Sequence, residues 1–424
     1  MSGTEVTKAA AESDPASAPG TVKFLGQERV YWRLLIRGAV LLMFTLGLYR
    51  FWLATDMRRF LWANTEIAGE SLEYTGTATE LLVGFLIAIA LLAPVYALFS
   101  LAALNFALLR ELSGIVGFLL LALLGQFAVY RARRYRLTRT VYRGVRFHQT
   151  GSAWRYAVCA LFWWTMIVIT AGLAYPWAQA SLERFKMRNT YYGTLSGDFA
   201  GSAFSLFLRG FPMWLLVMVP FVGGMVATIS AVDWTALVEA AGEGGRDLAA
   251  RVEASNPGYA TAIVLAILAC GWAALAAAVL YPVFQALVLR WWMSGLRLGQ
   301  VVASSRLRTG QVYRAYFRFL LYGAAFIIAV GVVGAIVVEL INVLVVSPTT
   351  AEVVVPAIFV VGYVVIALGY STIYQATVKL SLWRLAVESL DLSGITALDH
   401  VKASGQPSSA VGEGLADALN VGGF

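Results

Sequence analysis

One stretch of the sequence occurs twice, and it limits the folds the chain can adopt. Residues 45–65 read TLGLYRFWLATDMRRFLWANT and residues 170–190 read TAGLAYPWAQASLERFKMRNT, and the two align without a gap. Each copy follows an apolar run and precedes a stretch typical of a β-hairpin. A match of this kind predicts two units with one local structure, and it has to be recognised before a fold is assigned.

Apolar runs of about 20 residues recur along the chain, which is the length that a membrane-spanning helix needs. The sequence is 59% hydrophobic and 13% charged, whereas a globular protein carries roughly a quarter charged residues. We therefore predict an all-α polytopic membrane protein with about six transmembrane helices. The expected spans lie near 81–99, 113–130, 206–229, 259–289, 316–343 and 353–374.

Short hairpins are predicted between the apolar runs, near 64–77, 139–152 and 189–202, with a degenerate fourth that ends at Thr309-Gly310-Gln311. Isolated two-stranded hairpins are marginal in water, so we expect the first three to associate into one small β-platform. The expected regions are a disordered cytoplasmic tail (1–20), a repeat-containing membrane region (21–202), a helical membrane region (203–378) with an external loop (231–258), and a cytoplasmic tail (379–424).

The two matched stretches leave two topologies open. If both span the membrane, the chain crosses eight times and its Arg-rich segments lie on opposite faces. If both are re-entrant or interfacial, broken at Thr45-Leu46-Gly47 and Thr170-Ala171-Gly172, then six spans remain and every Arg-rich segment is cytoplasmic. The second arrangement satisfies the positive-inside bias. We therefore expect helix breaks at Thr45, Gly47, Thr170 and Gly172, with both termini in the cytoplasm.

These strings resemble the YjgN family of bacterial inner-membrane proteins, a group built on a domain of unknown function (family 898). The resemblance rests on TLGLYRFW followed by RRF and NT, on its echo at 170–190, and on YRGVRFHQTGSAWRY. It extends from Val22 to the GEGLADAL string near the C-terminus. It implies a multi-pass protein of the bacterial cytoplasmic membrane, and it implies no reaction.

The sequence contains no recognisable catalytic, metal or cofactor site. Its two histidines, His148 and His400, have no converging ligands, and a metal site needs several. We therefore expect no enzyme activity, no metal and no cofactor. The net charge of +8 is explained by basic loops beside membrane helices, so we expect no nucleic-acid partner.

Aromatic and basic residues recur at matched positions after the predicted breaks and are typical of the headgroup level of a membrane. We interpret them as a cytoplasmic collar in contact with the lipid bilayer and its anionic phospholipid headgroups. The collar residues are Arg59, Arg134, Arg184, Asn64, Asn189, Trp52 and Trp177.

Two classes of function fit these patterns. Broken helices at matched positions of two repeats indicate a transport site, which favours a permease or channel-like transporter with its site at the breaks. The alternative is a scaffold or interaction protein, whose Arg-rich hairpins bind anionic lipid or a partner protein. A buried polar cavity at the breaks would favour transport, and a solid bundle with a cytoplasmic platform would favour the scaffold.

Overall fold

The computed structural model describes residues 20–105, 107–242, 256–344 and 348–404, together with Asp417. Three of the expected features lie wholly or partly outside these residues: the N-terminal tail, part of the external loop, and most of the GEGLADAL string. The chain forms two compact units, Met1–Ala203 with Arg290–Phe424, and Phe204–Leu289.

Helices account for most of the described chain. In order they are α1 (Glu28–Phe44), α2 (Arg50–Ala63), α3 (Ala78–Asn105), α4 (Ala107–Thr138), α5 (Ala153–Ile169), α6 (Tyr175–Arg188), α7 (Ala203–Ala231), α8 (Trp234–Gly242), α9 (Tyr259–Gly295), α10 (Thr309–Leu344), α11 (Pro348–Tyr374) and α12 (Leu380–Glu388). A π-helical turn, Gln375–Lys379, joins α11 to α12, and a 3-10 helix covers Ile395–His400.

Among the described residues, five helical segments are long and apolar enough to cross a membrane, which supports the prediction of a membrane protein. They are Gly114–Thr138, Ala203–Ala231, Tyr259–Gly295, Thr309–Ile341 and Pro356–Glu388. The first expected span falls in α3, where the apolar stretches Ala78–Ile87 and Ala93–Ala102 are shorter. Large aliphatic side chains on these helices are exposed, such as Ile328 at 67%, as expected of surfaces that face lipid.

The strands form one antiparallel sheet of eleven members in the described residues. They are β1 (Gly20–Phe24), β2 (Thr65–Ile67), β3 (Glu70–Ser71), β4 (Glu73–Tyr74), β5 (Thr140–Tyr142), β6 (Val145–Gln149), β7 (Thr190–Tyr192), β8 (Leu195–Phe199), β9 (Leu296–Leu298), β10 (Val301–Ser305) and β11 (Leu390–Ser393). The spatial order is β3-β2-β1-β11-β10-β9-β8-β7-β6-β5-β4. Because β4 pairs with β5 and β6 pairs with β7, the predicted association of the first three hairpins is confirmed.

The two ends of this strand order, β3 and β4, are consecutive in the chain. Only Leu72 separates them, and its N–H donates to the carbonyl oxygen of Thr65 at 3.0 Å. Directly after β4, the N–H of Thr75 donates to the Arg139 carbonyl at 2.8 Å. One extended segment therefore pairs with β2 along its first half and with β5 along its second half. The sheet closes on itself as a ring, which removes the open edges that invite aggregation.

A second type of hydrogen bond recurs around the ring. Some strands follow a helix and enter the sheet, and others leave the sheet and lead into the next helix. The carbonyl of the residue just before an entering strand accepts the N–H of the residue just after the neighbouring leaving strand. The five instances are Leu25 to Asn64 (2.9 Å), Thr75 to Arg139 (2.8 Å), Thr150 to Asn189 (2.8 Å), Ala200 to Gly295 (2.8 Å) and Arg306 to Ser389 (2.9 Å). Each bond ties the end of one helix to the start of another.

The ring encloses a packed apolar core. Its buried members come from strands on all sides, with Leu398 contributed by the 3-10 helix: Val22, Tyr142, Tyr192, Val301, Ala303, Leu392 and Leu398. A Cβ on Gly193 would lie 2.4 Å from the carbonyl oxygen of Lys402, so the chain after the 3-10 helix runs directly past the β7–β8 turn. Side chains therefore fill the interior of this ring.

The C-terminal part of the chain contributes more to this fold than the sequence indicates. Residues 380–400, expected as part of a polar tail, form α12, β11 and the 3-10 helix. Among the described residues the first strand pairs with the last, since Gly20 is opposite Leu392 and Thr21 is opposite Asp391. This pairing joins residues about 370 positions apart, for which no local sequence pattern gives a signal.

Candidate functional site

The two matched stretches have the same backbone conformation at their centres. Helix α1 ends at Phe44 and α5 ends at Ile169, each followed by the threonine of the repeat. Leu46 and Ala171 have φ of 49° and 48°, and Gly47 and Gly172 have φ of 88° and 96°. Glycine adopts this left-handed region without steric cost. The chain thus leaves the helical conformation at both sites and reverses, so α1–α2 and α5–α6 form two helical hairpins.

The threonine hydroxyl bridges the two helices of each hairpin. Thr45 Oγ1 donates to the carbonyl of Leu41 at 2.7 Å and accepts the N–H of Tyr49 at 3.0 Å. The matched bonds are Thr170 to Met166 (2.7 Å) and Ala174 to Thr170 (3.0 Å). One side chain therefore adds a second bond to a carbonyl that already accepts the threonine's own N–H, and it provides an acceptor for an N–H at the start of the second helix.

The three collar arginines hold the ring together. Each donates from a guanidinium nitrogen to the carbonyl of a glycine 17 positions later, at the junction between an outgoing strand and its helix. These pairs are Arg59 with Gly76 (3.0 Å), Arg184 with Gly201 (3.2 Å) and Arg134 with Gly151. In the same way, Arg384 donates to Gly26 at 2.6 Å. The constant spacing is visible in the sequence and identifies this contact.

The other collar residues lie close by. The side-chain amides of Asn64 and Asn189 each donate to a carbonyl one turn back, at 2.7 Å in both cases, and so cap α2 and α6. Trp52 and Trp177 are 37% and 39% exposed, and Trp52 stacks on Tyr49 with ring centroids 6.2 Å apart. Both indoles therefore lie on the outer surface of their hairpins.

A cavity of about 240 Å³ lies beside the first helical hairpin. Helices α1, α2 and α11 form most of its wall, and Leu42 and Arg50 line it on either side of the break. Its polar lining residues are Arg50, Arg58, Ser371, Thr372, Gln375 and Asp417. The cavity therefore combines membrane helices, a helix break and several polar side chains.

A buried ion pair forms one wall of the cavity. Arg58 and Asp417 are 2% and 3% exposed, and the Arg58 guanidinium makes two bonds to the carboxylate, one of them 3.1 Å long. Arg136 Nε lies 3.7 Å from the same carboxylate, and Arg58 also donates to the Tyr74 hydroxyl at 3.1 Å. Burial disfavours the charged form of Arg58, but the Asp417 carboxylate and Tyr74 outweigh it and raise the pKa of this arginine above its ordinary value. Two guanidinium groups thus converge on one carboxylate.

Gln375 is the second unusual feature of this wall. Its Oε1 atom is buried and has no hydrogen-bond partner among the described residues, and a buried amide oxygen left unpaired costs about 1–3 kcal/mol. Gln375 is also the first residue of the π-helical turn. Such turns are rare and are found frequently at functional sites.

An apolar groove of about 600 Å³ adjoins the cavity. Helices α1, α10 and α11 line it, and Ala39, Leu368 and Thr372 belong to both spaces. A Cβ on Gly369 would lie 2.1 Å from the ring of Phe326, so α10 and α11 are in close contact at the groove. The two spaces together have a polar end and an apolar end.

The second helical hairpin contributes no described residue to either space. Its helices instead pack through Ala157, Ala160, Ala178 and Ala180, each at most 1% exposed. Of the two helical hairpins, the first therefore lines the cavity, and the described residues of the second do not. No three described His, Cys, Asp or Glu side chains are grouped as metal ligands would be.

A model of a family described as "Bacterial protein of unknown function (DUF898)" matches residues 19–418. The chain belongs to this family. Comparison with curated proteins gives no match, and comparison with solved structures gives none either. The DUF898 match contains both hairpins, the whole ring and Asp417, and the family description states no activity.

Within this DUF898 chain, the sequence pattern pointed to the two breaks and missed the cavity residues. Arg58 precedes a collar arginine, but nothing local singles it out. Asp417 lies in the GEGLADAL string, which served only to mark the extent of the family resemblance. Their contact joins residues 359 positions apart, so it has no sequence signal at all.

Proposed function

We propose that this chain is a permease-like protein that binds a small molecule in the cavity beside its first helical hairpin. The observation that carries the proposal is the cavity itself, because Leu42 and Arg50 line it on the two sides of a helix break. Broken helices place helix ends, with their partial charges, at membrane depth, as in known transporter sites. The unpaired oxygen of Gln375 and the π-helical turn support a site at this place. The proposal includes no enzymatic step, cofactor or metal.

We further propose that both hairpins re-enter the membrane without crossing it. Helix α1 has 17 residues, so its length is about 26 Å, and a hydrocarbon core is about 30 Å thick. The tip of the first hairpin is apolar and open, with Leu46 94% exposed and Phe44 77% exposed. These values suit a tip that ends inside lipid.

The proposed orientation places the ring and both termini in the cytoplasm of a bacterial cell. Arginines cluster at the ring, and β1 and β11 pair there, so both ends of the described chain enter the same sheet. The test uses single cysteines at Ser152, Ser202 and Thr235, in a chain whose own Cys159 and Cys270 are replaced by serine. An impermeant thiol reagent added to intact cells should label only the cysteine at 235. Labelling of 152 and 202 from opposite sides would exclude re-entrant hairpins.

The permease proposal is tested at Ser371, a polar cavity residue. In the same cysteine-free chain, Ser371→Cys should react with a water-soluble thiol reagent from the cytoplasmic side and, in a fraction of molecules, from the outer side. Val360→Cys is the matched control, since Val360 is on the same helix, is 64% exposed and does not line the cavity. It should be unreactive from both sides because lipid surrounds it.

A scaffold is the second candidate, and the closed ring favours it. A rigid ring with a packed core is a suitable platform for a partner protein or for anionic lipid. However, three exposed arginines of the β-hairpins are paired with carboxylates: Arg143 with Asp399, Arg188 with Asp198 and Arg306 with Asp391. This pairing reduces the charge available to lipid. If Ser371→Cys is labelled from one side only under all conditions, the permease proposal fails and the scaffold is preferred.

A further inference from the structure

A third space, separate from the cavity beside the first helical hairpin, lies between α10 and α12 and has a volume of about 210 Å³. We call it the arginine pocket, because three arginines line it: Arg314, Arg318 and Arg384. Gln311 and Ser381 add further polar groups to its wall, and among the described residues no carboxylate lines it. The arginine pocket shares no lining residue with the cavity.

The arginine pocket lies where membrane helices meet the ring. Helix α10 begins at Thr309, shortly after β10 ends at Ser305, and α12 ends at Glu388, shortly before β11 begins at Leu390. The segment Thr309–Ile341 is one of those long and apolar enough to cross a membrane. A pocket at the end of such a segment is at the level where the headgroups of lipids lie.

Contacts with the rest of the protein hold two of the three arginines in place. Arg318 pairs with Glu28 of α1. Arg384 donates to the carbonyl of Gly26 at 2.6 Å, and its Nε atom lies 3.9 Å from a carboxylate oxygen of Glu388. Both guanidinium groups therefore belong to a pocket that is built before any ligand arrives.

The third arginine, Arg314, is exposed. The three guanidinium groups have the two carboxylates of Glu28 and Glu388 beside them, so these five groups together carry one positive charge in excess. Guanidinium groups suit the oxygens of a phosphate, and basic pockets between membrane helices bind anionic lipid headgroups. The charge of the pocket therefore favours a phosphate-bearing anion.

The apolar groove lies along the same face of α10 as the arginine pocket. Arg318 lines the pocket, and Tyr322, one turn farther along the helix, lines the groove. The guanidinium carbon of Arg318 is 5.9 Å from the centre of the Tyr322 ring. Ala325 and Phe326 continue the lining of the groove. Residues three or four positions apart share one face of a helix, so this face has a basic end and an apolar end.

We propose that one anionic phospholipid of the bilayer binds here, with its phosphate against Arg314, Arg318 and Arg384 and an acyl chain in the apolar groove. The charge of the pocket and the apolar wall of the groove complement the two parts of this molecule. The inference goes beyond the permease proposal and does not depend on it. A lipid can occupy this site whether or not the cavity beside the first helical hairpin is reached from both sides of the membrane.

The experiment measures binding to the purified full-length chain in detergent micelles by native mass spectrometry, with three probes. Phosphatidylglycerol carries both the net charge and the chains, phosphatidylcholine carries the chains with a zwitterionic head, and glycerol phosphate carries the charge without chains. The natural chain should bind phosphatidylglycerol at least tenfold more tightly than either of the other probes. Equal affinities for phosphatidylglycerol and glycerol phosphate would show an anion site without an acyl chain and would overturn the proposal.

Arg314→Gln tests the head of the lipid. It removes a positive charge at an exposed position, so it should lower the affinity for phosphatidylglycerol at least fivefold and that for phosphatidylcholine less than twofold. Arg209→Gln is the matched control, because Arg209 is also exposed and also lies about two turns into its helix, α7, but does not line the arginine pocket. It should change neither affinity more than twofold. Equal losses in both variants, or no loss in Arg314→Gln, would overturn the proposal.

Two neighbouring alanines of α10 test the acyl chain. Ala324 and Ala325 are both exposed, and of these two only Ala325 lines the groove. Ala325→Trp should lower the affinity for phosphatidylglycerol at least threefold, whereas Ala324→Trp should change it less than twofold. Equal effects of the two variants would remove the chain from the groove and overturn the proposal. The labelling of Ser371→Cys decides the permease proposal separately, so either proposal can fail while the other stands.

Discussion

The two helical hairpins share a turn and differ in what surrounds it. Both reverse through a threonine, a residue at φ near 49° and a glycine, with the same pair of hydroxyl bonds. The first hairpin lines a cavity, to which the second hairpin contributes no described residue. The aligned sequences also differ there, because Gly38 and Ala39 of α1 correspond to Trp163 and Trp164 of α5. Ala39 lines the cavity, whereas Trp164 is 46% exposed on the surface of its hairpin.

The hairpins also differ in how they neutralise a buried charge. Arg58 and Glu183 occupy matched positions. Glu183 is paired within its own helix with Lys186 and accepts a bond from the indole of Trp292 at 3.0 Å. Burial lowers the pKa of Lys186, and Glu183 opposes this shift. Arg58, in contrast, depends on a carboxylate 359 positions away.

The two helical hairpins therefore place the same turn in two different settings. Glu183 of the second hairpin bonds to Lys186 and Trp292, whereas Arg58 of the first hairpin lines a cavity and bonds to Asp417.

The largest effect is expected at Asp417, because the charge partner of Arg58 is the point at which the two helical hairpins differ most. Asp417→Asn should lower the free energy of unfolding by roughly 3–5 kcal/mol, because it removes the carboxylate that pairs with the buried Arg58 guanidinium. The measurement is the thermal midpoint of the purified chain in detergent. Asp399→Asn, at an exposed ion pair, should change the stability by no more than about 1 kcal/mol. Similar losses in both variants would contradict the buried role of Asp417.

The collar arginines are expected to have the next largest effect, and an equal one in both hairpins. Arg59→Ala and Arg184→Ala each remove a charged donor from a glycine carbonyl, which corresponds to about 1.5–3 kcal/mol. Thermal midpoints of the two variants should fall by the same amount. If they stay unchanged while vesicle binding weakens, then the arginines act on lipid headgroups and their bonds to the ring have no energetic importance.

The glycines of the two turns provide the third comparison. Gly47→Val and Gly172→Val place a β-branched residue at positive φ, with a strain of roughly 1–3 kcal/mol. A Cβ on Gly47 would meet no atom within 4 Å, so the loss at this site comes from the backbone alone. The amount of folded protein in the membrane and its thermal midpoint should fall for both. Unchanged values for Gly47→Ala and Gly172→Ala would show that the turns are not strained at these positions.

The features that the sequence predicts are those with a local signal. The breaks follow from Thr-x-Gly-Leu, and the hairpins follow from turn residues flanked by helices, so both could be located to within a few residues. The closed ring could not, because it needs β1 to pair with β11, and that pairing joins residues about 370 positions apart with no local sequence signal. The collar shows a third case: the positions of Arg59 and Arg184 were predicted, but their partners were taken to be lipid headgroups. Their spacing to a glycine indicates the partner that the structure shows.

The smallest effect is expected at the threonines that bridge the two helices of each hairpin. Thr45→Val and Thr170→Val keep the shape of the side chain and remove both hydroxyl bonds. Each net hydrogen bond contributes about 0.5–1.5 kcal/mol, so each variant should lose roughly 1–3 kcal/mol at most, and less if water reaches the turn. Substitution by serine at either position retains the hydroxyl and should cost only a few tenths of this loss.

The first turn is the more open one, since Leu46 is 94% exposed. If its tip lies in lipid, however, then no water replaces the lost bonds. Equal losses at Thr45 and Thr170 would therefore indicate the same environment at both tips. A loss at Thr170 with none at Thr45 would place the first tip in water, which would contradict a re-entrant hairpin at the site of the cavity.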